Sequence, residues 1–159
     1  MKVIKNYKGE ELKVDCLSCA REQEKIKAYG TIIKTNYFDA HQDLEVPIEG
    51  FIIISSRRHI TGIDEFSQEE SVDFIDLVTK LRKAQRKALK IESVYLIQKE
   101  SSERHFHLWM FPRYAWMDEK FGSKIDSVTK VVEYAKANLV NSENAIKIEK
   151  AVTKLRHAL

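Results

Sequence analysis

The apolar positions change period along the chain, and each change marks an element. Thr31-Ile-Ile-Lys-Thr-Asn-Tyr-Phe38 is β-branched and aromatic and predicts a strand. Phe51-Ile-Ile-Ile-Ser55 is a continuous apolar run of the kind found in buried strands. Val94-Tyr-Leu-Ile97 predicts another strand, and residues 105–111 a fourth, which Pro112 should stop. Between these strands the period lengthens. Phe74, Leu77, Val78, Leu81, Ala84 and Ala88 fall on one helical stripe, and Ser67-Gln-Glu-Glu70 forms a capping box at its start. Residues 16–29 read as a short helix ended by Gly30. Residues 1–15 read as irregular, and residues 39–50 as a loop. Two helical segments close the chain, 124–138 and 143–159. The first carries Ile125, Val128, Val132, Ala135 and Leu139 on one stripe. The second carries Ile146, Ile148, Val152, Leu155 and Leu159 less regularly.

Strands adjacent in sequence, with one long helix inserted, predict an antiparallel α+β sheet rather than repeated βαβ units. The expected organisation is a domain over residues 1–120. A helical extension over 121–159 would pack on that domain or on a second copy.

Composition narrows the function classes. The chain has 159 residues, 43% hydrophobic and 32% charged, enough apolar material for a real core in one domain. With 27 basic against 24 acidic residues the net charge is +3, so nucleic acid is not an expected partner. The basic run from Lys80 to Lys87 suits the second half of a helix through its dipole. No window reaches the ~18 apolar residues of a membrane span, and the polar start MKVIKNYKGEELK lacks the core of a signal peptide. A cytoplasmic location is expected. There is no glycine-rich phosphate loop of the Walker type.

The chemistry concentrates in His105-Phe-His-Leu-Trp-Met-Phe-Pro-Arg113. Alternation puts His105, His107, Trp109 and Phe111 on one face of a strand. Phe106, Leu108 and Met110 take the other, which is the better core face. Two imidazoles in register are either satisfied structural rings or the floor of a site. Cys16-Leu-Ser-Cys19 has the spacing of a metal knuckle or a redox pair, or is two incidental thiols. Residues 8–15 make a poor strand for a thioredoxin-like motif. Tetrahedral zinc would need two more ligands, and His59 and His105 are available.

The strand 105–113 resembles the signature of the histidine triad (HIT) superfamily, His-x-His-x-His followed by apolar residues and often Pro-Arg. The first two histidines match, and Trp109 stands where the third would be. Phe51–His59 resembles the family's strand ending in basic-basic-His, and Ile63–Glu70 its acidic turn and helix start. Asp43, sixteen positions before His59, falls where members place a ribose-binding acid. The likeness covers residues 14–116.

That resemblance implies a five-stranded antiparallel sheet with helices packed on it, and a homodimer. It implies a nucleotide substrate attacked at its α-phosphate, with His107 as nucleophile and a covalent nucleotidyl-histidine intermediate. Ser102, three residues before His105, would meet a phosphate or leaving-group oxygen. Asp43 would hold the ribose, with Trp109 and His41 lining the pocket. A structural zinc would take Cys16, Cys19, His59 and His105. The uridylyltransferase branch also lacks the third histidine, having glutamine there, and still transfers nucleotidyl groups. Indole offers one N–H and no useful acid or base, so the alternative is a zinc-stabilised nucleotide-binding module with little catalysis.

Overall fold

The computed structural model describes residues 1–100 and 105–159. Its centre is a five-stranded, wholly antiparallel sheet. The strands are β3 (Thr31–Lys34), β4 (Phe38–Gln42), β5 (Ile52–Ser56), β6 (Ser93–Gln98) and β7 (His107–Arg113), in the order β3-β4-β5-β7-β6. A separate hairpin, β1 (Lys2–Lys5) with β2 (Glu11–Val14), precedes them. The α+β class agrees with the sequence pattern, and the five strands with the number that the resemblance implies.

The helices divide between the two faces. α2 (Gln68–Leu89) begins at the capping box, where the Ser67 hydroxyl accepts from the Glu70 amide and the Glu70 carboxylate accepts from the Ser67 amide. Its stripe of Phe74, Leu77, Leu81 and Ala84 packs on Ile52, Ile54, Leu108 and Met110. α5 (Ser142–Ala158) joins the same face through Ile148, Val152 and Leu155. The opposite face receives α3 (Ala115–Phe121) and α4 (Ser127–Asn138), whose Met117, Val128, Val131 and Ala135 cover Phe51, Ile53 and Phe111. These helices leave open the end of that face that carries His107.

Several elements differ from the sequence expectation. Residues 1–15 are not irregular: Ile4 and Val14 are buried, and Asn6 shapes the turn by accepting from the amides of Lys8 and Glu10. α1 is only Leu17–Glu22, and the chain turns out of it through Glu24 at φ +55°. The segment 31–38 breaks into a hairpin at 35–37, where the Thr35 hydroxyl accepts from the amides of Tyr37 and Phe38. The loop expected at 39–50 therefore begins four residues late, and β4 takes Asp39, Ala40, His41 and Gln42. Gly30 precedes β3 at φ +68°, and a Cβ there would lie 2.9 Å from that of Gln42, so a side chain is excluded twice over. β7 begins at His107, not His105. Pro112 lies inside it, beyond the last residue paired with β5, Met110, so only the β6 side is paired there. Ile125 is exposed before α4 begins, and Val131, off the expected stripe, lies in the core.

Candidate zinc centre and histidine groove

β5 and β7 pair with Ser55 opposite His107, which brings the residues just beyond their ends together. His59 follows β5 and His105 precedes β7. α1 lies against the same end. Cys16 caps this helix with its sulfur, which accepts from the Cys19 amide at 3.5 Å, so both thiols project from one turn.

The four side chains converge. Cys19 Sγ is 3.2 Å from His59 Nδ1 and 3.4 Å from His105 Nδ1. Cys16 Sγ is 3.4 Å from His105 Nδ1, and the two Nδ1 atoms are 3.2 Å apart. All four donor atoms lie within 4.8 Å of one another. Zinc bonded at about 2.1 Å to nitrogen and about 2.3 Å to sulfur spaces tetrahedral ligands roughly 3.3 to 3.8 Å apart. The donors fit. His105 Nε2 donates to the Ser56 carbonyl at 2.7 Å, which leaves the Nδ1 lone pair facing the cluster. Burial, and then the neighbouring Cys16, push the Cys19 thiol up to about 11, so a bare thiolate is disfavoured until a cation neutralises it. Four protein donors fill a tetrahedron, which makes this a structural zinc site.

Two residues beyond His105, at the start of β7, the chemistry changes. His107 is half-buried, and its Nδ1 donates to the His105 carbonyl at 2.9 Å. That bond fixes the tautomer and leaves Nε2 as a bare lone pair. His107 and Trp109 line a groove of about 130 Å³ with Ile53, His41, Asp43 and Leu17. Lys2, Ser18, Leu44 and Glu45 complete its wall. Trp109 rests edge-on against Phe51, with centroids 5.2 Å apart, so its indole is a fixed wall.

Asp43 accepts from the amides of Glu45 (2.8 Å) and Val46 (2.7 Å), which curls the loop after β4 around its carboxylate. Burial holds this carboxyl up at about 6 despite those two bonds. His41 is buried and donates through Nδ1 to the Gln42 carbonyl. Burial, aided by the Arg21 charge, lowers it to about 3, so its ring is neutral. Gln42 points the other way, donating to the Ile48 carbonyl and accepting from the Gly50 amide, and it staples the ends of the loop.

Every described residue expected at the metal or groove is there, and Ser102 lies outside the described residues. Sequence reasoning missed a buried ion pair beside them. Arg21 Nε donates to Asp39 Oδ2 at 3.0 Å, with both residues almost wholly buried. Asp39 pairs with Ser55, and Ser55 with His107, so all three share the groove face. The alternation Asp39, His41, Asp43 against Phe38, Ala40, Gln42 was the available signal. Arg57 and Arg58, the basic pair at the end of β5, are engaged with Glu22 and Glu70.

No protein-family model matches the sequence, and no curated protein matches it. Solved structures do resemble the fold. A histidine triad nucleotide-binding protein from Sulfolobus tokodaii superposes with a TM-score of 0.65 at 15% identity, over 89% of this chain and 92% of that one. A zinc-bound histidine triad family protein from Mycobacterium smegmatis gives 0.63 at 16% identity, over 90% and 91%. A HIT family protein from Bacillus anthracis gives 0.59 at 21% identity, over 83% and 94%. The fold is the histidine triad fold.

Proposed function

We propose that this protein is a nucleotide hydrolase or nucleotidyl transferase acting at the α-phosphate of a nucleoside phosphate, a dinucleoside polyphosphate or phosphoramidate being examples. The observation that carries the reading is the His107 tautomer: Nδ1–H is committed to the His105 carbonyl, and Nε2 is left as the nucleophile. The Nε2 lone pair attacks phosphorus, and the bond from phosphorus to the leaving group breaks. Water or a second acceptor then attacks the nucleotidyl-imidazole and releases His107. Asp43 holds the ribose hydroxyls, while Trp109 and His41 shape the pocket around sugar and phosphate. Ser102 is assigned to the leaving-group side. Zinc, when bound, supplies rigidity to the start of β7 and takes no part in bond making.

Incubation with adenylylated substrates and intact-mass measurement test this. An adenylyl adduct on wild type, absent from His107→Ala, is the expected result. His107→Ala should lower turnover on the order of 10⁴-fold or more while keeping its zinc. Tight nucleotide binding with no adduct and no turnover would sink the enzyme reading. It would support the second one, a nucleotide-binding module, which Trp109 at the third signature position favours.

Two further assignments belong to this reading. β6 is an edge strand with Leu96 55% exposed, a suitable seam for a homodimer through sheet pairing. A cytoplasmic location would keep Cys16 and Cys19 reduced for the metal. Among the described residues, no helix is long and apolar enough to cross a membrane.

A further inference from the structure

The run Tyr114-Ala-Trp116-Met117 leaves aromatic residues with no part in the histidine groove. They border a second cavity, of about 580 Å³, between the loop after β4 and helices α3 and α4. That is ample for a small molecule, and more than four times the groove volume. Pro47, Ile48 and Glu49 line it from the loop after β4, and Trp116, Lys120 and Tyr134 line it from α3 and α4. None of these residues touches the His107 groove.

We propose that this cavity is a second binding site, for a small planar aromatic anion. The inference is independent of the reaction assigned to His107.

Trp116 and Tyr134 lie with centroids 5.9 Å apart and planes tilted by 49°. They are neither stacked nor squarely edge-on, and Tyr134 also meets Phe121 with centroids 5.6 Å apart, so the Trp116 indole is the less engaged of the two rings and the one a guest ring would stack on. Lys120 Nζ sits 4.6 Å from the Tyr134 centroid and 5.9 Å from that of Phe121. It is held at the cavity by two aromatic rings, and no described carboxylate pairs with it. A cation fixed beside open aromatic surface matches a ring carrying a carboxylate or phosphate. The loop after β4 contributes the half-buried Glu49 to the lining, an acceptor for a ring N–H or amino group. Glu49 also repels a misplaced anion, which orients the guest with its charge toward Lys120. The wall is braced by the Tyr114 hydroxyl, which donates to the Glu49 carbonyl at 2.8 Å.

The chain has two tryptophans, so Trp109→Phe leaves Trp116 as the sole indole and a reporter of this cavity alone. Adenosine 5′-monophosphate and nicotinate are titrated into that variant, with adenosine as the uncharged comparison. Saturable quenching by the nucleotide assigns the anion as phosphate, and by nicotinate as carboxylate. Lys120→Gln, an exposed change that spares the core, should weaken binding about three- to fivefold, the reach of an exposed ion pair. It should leave adenosine unaffected. Tyr134→Leu should weaken charged and uncharged guests alike. Quenching that is absent, or linear without saturation for both anions, overturns the proposal. So does saturable quenching that Lys120→Gln leaves unchanged.

Discussion

The carbonyl of His105 accepts the Nδ1 proton of His107 across 2.9 Å, while the imidazole of His105 faces Cys16, Cys19 and His59. One residue thus serves the metal with its ring and the neighbouring histidine with its backbone. Holding the ring holds the carbonyl, and the carbonyl fixes which nitrogen of His107 is bare.

Zinc removal should therefore be felt at His107 as well as in stability. Elemental analysis should give one zinc per chain, and Cys19→Ser should abolish it. The expected loss is about 3 kcal/mol, or roughly 10 °C in Tm for a chain of this size. Nitrogen-15 spectra of the imidazoles provide a readout apart from activity. In the zinc form His107 should show one tautomer, protonated at Nδ1. In Cys19→Ser at low temperature, still folded, it should show mixed tautomers. A single unchanged tautomer would mean that the metal does not support this bond.

The buried pair of Arg21 and Asp39 gives a prediction of different size. Arg21 also donates to the Tyr29 carbonyl and the Thr31 hydroxyl, so its charge is pinned between α1 and the sheet. Asp39→Ala strands that guanidinium out of water and should cost about 3 to 5 kcal/mol in urea denaturation. The double variant Arg21→Met with Asp39→Leu should recover most of it. A loss under about 1 kcal/mol in Asp39→Ala would place the pair in solvent instead.

His41 and Asp43 should shape stability against pH with opposite signs. The folded pKa of His41 is lowered to about 3 by burial, whereas the unfolded ring titrates near 6.5. The unfolded chain binds the proton first, so stability present above pH 6.5 is lost as pH falls toward 3. Asp43 is raised to about 6, and its unfolded carboxyl titrates near 4. Stability present below pH 4 is lost as pH rises through 6. Going from pH 7.5 to 5, the His41 effect should cost wild type about 2 kcal/mol relative to His41→Leu. Asp43→Asn should instead remove about 1 kcal/mol of loss over the reverse change. Urea midpoints at the two pH values decide both.

The outcome for β4 explains what was legible in the sequence and what was not. The two faces of β7, the capping box at Ser67 and the stripe of α2 were readable because each is a local pattern of period or spacing. So were the zinc ligands, once the resemblance joined three separate segments. The sequence reads 39–42 of β4 as loop because Asp39, His41 and Gln42 are polar. Their partners are remote: Arg21 lies on α1, and Gln42 bonds the far end of the following loop. Polar residues buried through tertiary partners carry no hydrophobic period. The hairpin of β1 and β2 was missed for a related reason, since it buries only single residues such as Ile4 and Val14.

Trp109 sets the last prediction. Its indole stands one alternation beyond His107 on the groove face, wedged on Phe51, with an N–H to donate and no proton to exchange near neutral pH. A leaving group that departs as a stable anion, such as a phosphate or pyrophosphate, needs little protonation. An amine or alkoxide needs a proton as its bond to phosphorus breaks. Wild type should accordingly favour the first class. Trp109→His places an imidazole at that position, and the smaller ring still packs on Phe51. It should raise turnover of phosphoramidates on the order of 10²-fold, the usual scale of a positioned general acid, with little effect on polyphosphates. The pH–rate profile for phosphoramidates should gain a basic limb as the new acid deprotonates, with the His107 adduct retained. An equal change for both leaving-group classes would show that the indole acts on substrate fit and not on proton supply.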